Sequence, residues 1–185
     1  FLHALDRETY KKDVLNGLVI MPSSPNVEGL PYHKVVPVYE FDLKKSADYL
    51  QKAFGGKVWE KGFTMIITHN TGNEMREAAA HMLAENIMSL NPKFRIDVRN
   101  VEWKDYVVQI RSFQYPLFLS GWGADYADPH NFVYPFMHSN GYYGKFMALN
   151  NPEIDKLCDA GIQNADPVKR REIYSRLQDI WYEDA

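Results

Sequence analysis

A single cysteine, Cys158, stands among the 185 residues, so no intrachain disulfide can staple the chain. That suits a reducing compartment, and equally an exported protein that does without disulfides. No run of about 18 apolar residues occurs, so nothing reads as a helix that crosses a membrane. The most suggestive segment, 14–21, is short and interrupted by Asn16 and Gly17. Net charge is only −3, without clustered Lys and Arg, which excludes a nucleic-acid binder that works by bulk charge. No run of like charge reaches five residues, so no charged tail is expected. Catalytic signatures are missing as well. There is no GxSxG elbow, no GxGxxG, no P-loop, and no HExxH spacing among the six histidines. Cys158 reads as a small buried helix residue.

What is present is a globular mixture: 45% hydrophobic and 24% charged residues, enough for a real core. The chain then reads as alternating elements. Asp6 caps a short helical pattern that stops at Asn16-Gly17, with Val14 and Leu15 on its buried side. Residues 21–40 carry Pro22, Pro25, Pro31 and Pro37, too proline-rich for a helix or a central strand. Asp42 caps a helix over 43–54, ended by Gly55-Gly56. Segment 63–68 (FTMIIT) reads as a buried strand. Residues 74–89 have apolar side chains at helical spacing. Residues 94–101 alternate as a half-buried strand, 103–112 read as a helix, and 116–121 as a third strand. Helices follow over 129–137, 151–163 and 167–184, the last opened by Asp166-Pro167. Strand, helix, strand, helix, strand implies an α/β class with parallel pairing. Phe1 starts mid-pattern and the last helix runs to Ala185 without a stop signal, so the sequence reads as one excised domain, 1–185.

The stretch Gly121-Trp122-Gly123-Ala124-Asp125-Tyr126-Ala127-Asp128-Pro129 resembles a motif of the oligopeptide- and dipeptide-binding branch of ABC-transporter solute-binding proteins. Three further blocks look like that family in the same order: Ala4-Leu5-Asp6-Arg7-Glu8, Asn151-Pro152-Glu153-Ile154-Asp155-Lys156-Leu157, and Asp166-Pro167-Val168-Lys169-Arg170 with Tyr174. Each block is weak by itself; four in order are specific. The resemblance implies a periplasmic-binding-protein-like lobe with a mixed sheet flanked by helices, most of the C-terminal lobe of a two-lobe receptor. It implies a non-enzymatic protein, without cofactor, at the periplasmic or extracellular face of the membrane. The partners it implies are a peptide-like solute, ABC permease subunits and an N-terminal lobe. Nucleic acid is not among them, and the membrane is met only through the transporter or a lipid anchor.

Physical reasoning and resemblance meet at Asp125. It follows a strand's carboxyl end, where ligands bind in open α/β sheets. A carboxylate there can accept charge-assisted hydrogen bonds from an ammonium, and the resemblance assigns it a peptide's α-amino group. The bland alternative is a turn aspartate bonded to its own backbone. Trp122 and Tyr126 offer amphipathic rings, and Gly123 leaves room for close approach. The resemblance also places Trp103 beside a ligand side chain, with Val107 one helical turn on and facing the same way. Leu119 stands where some relatives carry an arginine for a ligand carboxylate, which puts carboxylate capture there in doubt.

Two other readings remain. Asp125, Asp128 and His130 lie within six residues and offer metal ligands for a hydrolase, but Asp128-Pro129 is also an ordinary helix start, with Asp128 as cap. A receptor for a sugar or a metal chelate would share the fold. His69, just past the first strand, reads as a surface-loop residue.

Overall fold

The strand expected at 63–68 extends two residues further, and this extension decides where the next loops emerge. In the computed structural model, which describes residues 1–183, the chain forms two compact units: residues 1–19 with 39–121, and residues 20–38 with those from Trp122 onward.

In the first unit, Asp6 Oδ1 accepts from Thr9 N (3.0 Å) and starts helix α1 (Arg7–Thr9), which runs into a π-helical turn (Tyr10–Val14). Asn16 and Gly17 both have left-handed backbone and end it. Asp42 accepts from Lys45 N (2.9 Å) and caps α2 (Leu43–Lys52). The expected continuation to 54 is a 3-10 turn (Ala53–Gly56), and a short helix that the sequence did not announce follows, α3 (Lys57–Lys61). Then come β1 (Phe63–Asn70), α4 (Glu74–Leu90), β2 (Phe94–Val101), α5 (Trp103–Arg111) and β3 (Leu117–Phe118).

The strand order is β2-β1-β3. β1 pairs with β2 from Phe63↔Phe94 to Asn70↔Val101, and with β3 at Ile67↔Leu117 and Thr68↔Phe118. Both pairings are parallel; the sheet expected as mixed contains no antiparallel pair among the described residues. Parallel strands are covered by helices, which is why β1 reads as a continuous apolar run. Ala80, Leu83, Ala84 and Ile87 of α4 pack on Ile67, Phe94 and Ile96. The expected strand 116–121 is real but keeps only two ladder residues. One further bond, Leu119 N to Thr68 O (2.9 Å), holds its exit, and the buried Tyr106 hydroxyl donates to Leu119 O (2.6 Å). His69, read as a loop residue, is a strand residue and only 2% exposed. The apolar pattern ends before the strand does, because the last residues of β1, His69 and Asn70, are polar.

The second unit holds α6 (His130–Met137), α7 (Tyr142–Phe146), α8 (Pro152–Gln163) and α9 (Pro167–Glu183). α7 was not anticipated. The expected run of α9 over Asp184 and Ala185 lies outside the described residues. Val133, Met137, Ile154, Cys158, Tyr174, Leu177 and Ile180 form its core. Asp166 Oδ1 accepts from Val168 N (2.9 Å), the expected helix start. One buried side chain, Gln178, ties several points of the proline-rich crossing, beside the Lys34–Asp179 ion pair (2.6 Å). Gln178 Oε1 accepts from Lys34 N (2.9 Å) and Ser24 Oγ (3.2 Å), while Nε2 donates to Tyr32 O (3.1 Å) and Tyr174 O (2.8 Å). A crossing that cannot pair as a strand thereby has backbone groups satisfied by a side chain, as buried backbone requires.

Candidate functional site

The expected site residues divide between the two units. Trp103 and Val107 belong to the first; Trp122, Gly123, Asp125 and Tyr126 belong to the second.

Trp103 opens α5 and is 54% exposed, its ring 6.1 Å from that of Tyr106. Val107, one turn on, is half-buried. Tyr106 between them is fully buried, and its hydroxyl bond to Leu119 O fixes this helix to the end of β3. Trp103 therefore sits on a rigid element and presents most of an indole to its surroundings.

Trp122 is half-buried, with its ring 5.8 Å from Tyr142, 6.1 Å from Tyr143 and 6.5 Å from Phe136. Its Nε1 donates to Asn131 Oδ1 (3.0 Å). The same oxygen accepts from Asp125 N (3.3 Å). Asn131, at the second position of α6, is 6% exposed and was not singled out by sequence reasoning. It brings Trp122 and Asp125 together across a loop without regular structure. The Asp125 side chain is exposed and has no hydrogen-bond or ion-pair partner among the described residues. It is thus no self-bonded turn aspartate; its backbone is anchored and its carboxylate is left over. Tyr126 is 51% exposed. At Gly123, a Cβ would meet nothing within 4 Å, so packing does not demand glycine there.

Asp128 behaves differently. Its Oδ1 accepts from His130 N (2.9 Å), but the helix begins one residue later than expected, so Pro129 and not Asp128 stands at its N-cap. Both its oxygens also lie 2.8 Å from Arg170 Nη2. Arg170 further donates through Nε to Gly161 O (3.1 Å), and its guanidinium lies 5.3 Å from the Tyr174 ring centroid. A carboxylate neutralised by a guanidinium is poorly placed to serve as a metal ligand. Burial lowers the His130 imidazole pKa, only partly offset by Asp128, so it stays neutral at ordinary pH. Among the described residues, no three His, Cys, Asp or Glu side chains are grouped to hold a metal ion.

The helix-covered parallel sheet and the loop that leaves its third strand are those of a periplasmic-binding-protein fold. The ABC transporter-associated periplasmic binding protein DppA of Helicobacter pylori, solved in complex with the peptide STSA, superposes with a TM-score of 0.86 at 21% identity, covering 100% of this chain and 35% of that one. Residues 1–144 match the model of the bacterial extracellular solute-binding proteins, family 5 Middle, and the chain belongs to that family. The oligopeptide-binding protein OppA of Bacillus subtilis is 24% identical over 190 residues, covering 98% of this chain and 34% of that protein. Heme-binding protein A of Haemophilus influenzae is 25% identical over 189 residues, covering 99% and 34%. The chain spans about a third of the length of these curated relatives. No helix among the described residues is long and apolar enough to cross a membrane.

Proposed function

We propose that the full-length protein containing these residues is the solute-binding component of an ABC importer and captures oligopeptide-like solutes at the periplasmic or extracellular face of the membrane. The present residues make up most of its C-terminal lobe. Its partners are a peptide-like solute, the N-terminal lobe and the permease subunits, and it carries out no chemistry on the solute. Asp125 receives the solute's ammonium, while Trp122, Gly123 and Tyr126 border the solute.

The observation that carries this reading is the Asp125 carboxylate. It is exposed, it has no partner among the described residues, and its backbone is anchored on the buried Asn131. An anchored but unsatisfied carboxylate is a receptor for a cation, and the charge-assisted bond is about twice as strong as a neutral one. A relative named for oligopeptide binding, OppA of Bacillus subtilis, supports a peptide as that cation-bearing solute. The hydrolase reading loses ground because Asp128, one of its three ligands, is already held by Arg170.

Mass spectrometry of small molecules that co-purify with the full-length protein tests the proposal. Peptides are expected with the wild type and should be depleted in Asp125→Asn. A sugar or a metal chelate in their place would sink the peptide reading.

A further inference from the structure

The glycine that opens the Gly121-Trp122-Gly123 stretch is not demanded by its own backbone, which lies outside the left-handed region. Space explains it. Apart from chain neighbours, the only heavy atoms among the described residues within 4 Å of a Cβ placed there belong to one guanidinium, Arg76 Nη2 at 2.8 Å and Cζ at 3.9 Å. A real Cβ does not sit 2.8 Å from a nitrogen, so any other residue at 121 would displace that group. The guanidinium is held from its other side, where Nη1 donates to Asn70 Oδ1 (2.5 Å). Asn70 ends β1, and Arg76 lies in the first turn of α4. A cation there faces the positive end of the helix dipole, so local helix preference does not account for it. All three residues belong to the first unit. The β1–β3 ladder stops at Thr68↔Phe118, with one more bond from Leu119 N to Thr68 O. Arg76 spans the next step, from Asn70 to Gly121, with a side chain.

We propose that Arg76 is a positioning residue for the solute loop: it braces the loop's root at Gly121 and sets solute affinity without touching the solute. Gly121 is the last residue of the first unit and directly precedes Trp122, with Asp125 following in the same loop. A fixed root restricts the conformations open to the loop before the solute arrives. Preorganisation of this kind raises affinity by lowering the cost of ordering on binding. The role rests on the peptide reading above and adds to it a residue outside the loop. It also accounts for the first glycine of the stretch, which admits the guanidinium, whereas a Cβ at Gly123 would meet nothing.

Calorimetry on the full-length protein tests this, at a temperature where thermal melts show every variant folded. The probes are tri-, tetra- and penta-alanine, as free acids and as C-terminal amides. Gly121→Ala pushes Nη2 away and breaks the Asn70 bond, and affinity is expected to fall about tenfold. Arg76→Lys added to that variant decides the cause. A lysine Nζ reaches about as far as the arginine Cζ, which stands 3.9 Å from the added Cβ, in ordinary contact, and it can still donate to Asn70. The double variant is therefore expected to recover to within about threefold of wild type. Both effects should be equal for free acids and amides. A loss that the lysine does not rescue means that glycine is needed for its backbone, and overturns the brace while the peptide reading stands. Wild-type affinity in Gly121→Ala overturns it equally. Effects confined to free acids would make Arg76 a solute contact and overturn the bracing role. No binding of these peptides by the wild type overturns the peptide reading and the role of Arg76 together.

Discussion

Arg170 Nη2 stands 2.8 Å from both carboxylate oxygens of Asp128, tying the start of α6 to the first turn of α9 across 42 residues of sequence. The two side chains are 17% and 24% exposed. Fully buried pairs lose ~3–5 kcal/mol when one partner is removed, and exposed pairs about 1 kcal/mol or less. Between those limits, Asp128→Asn is expected to cost about 2 kcal/mol, more than a helix cap by itself (about 1 kcal/mol). The substitution keeps an oxygen for His130 N, so the loss reports the charge. Urea denaturation of wild type, Asp128→Asn and Arg170→Met checks it; two single losses that simply add in the double variant refute the coupling.

Asp125→Asn should separate binding from folding. Its carboxylate has no partner among the described residues, so the melting temperature should stay within about 2 °C of wild type, a change of a few tenths of a kcal/mol. Peptide affinity of the full-length protein should fall by about 100-fold or more, the cost of leaving a bound ammonium unpaired. Calorimetry and thermal melts on the same preparation decide. Unchanged affinity would remove Asp125 from the site.

Gln178→Met keeps the volume and removes every polar atom of the clamp on residues 20–38. Lys34 N and Tyr32 O then lose their partner. Each unsatisfied buried group costs about 1–3 kcal/mol, so a loss of about 3 kcal/mol is expected. Limited proteolysis should reveal new cleavage between residues 20 and 38 before the rest of the unit is cut. Uniform cleavage everywhere, or a loss under about 1 kcal/mol, contradicts the clamp.

Asp155 gives the second unit an acid limb. Burial pushes its carboxyl pKa up, but the Ser139 hydroxyl (2.6 Å), Ser139 N (2.8 Å) and His138 outweigh that and hold it below the ordinary value. A lowered folded-state pKa favours the ionised form in the native state. The resulting stability is present above the unfolded pKa and lost as pH falls through the folded one. Asp155→Asn should therefore be less stable than wild type at neutral pH, and the gap should close in acid. Denaturation midpoints from pH 7 to 2.5 measure this; a gap that stays constant through the acid range assigns the stability elsewhere.

The sequence by itself determined the element order and most helix starts, because those depend on residues a few positions apart. Asp6, Asp42 and Asp166 each bond a backbone N–H two or three residues on, and the apolar runs of β1 and α4 carry their own periodicity. Motif order was equally legible and led to the family. Tertiary structure decided the rest. His69 and Asn70 extend β1 because β2 supplies partners as far as Val101, something no local pattern contains. β3 shrinks to two residues because its ladder with β1 is that short. Asp128 read as a cap because its nearest chain neighbours are all that a sequence shows, whereas its second partner, Arg170, arrives from another helix. Asn131 and Gln178 were illegible for the same reason. An amide can bond almost any polar group, and only the folded chain selects Trp122 and Asp125 for one, and Ser24, Tyr32, Lys34 and Tyr174 for the other.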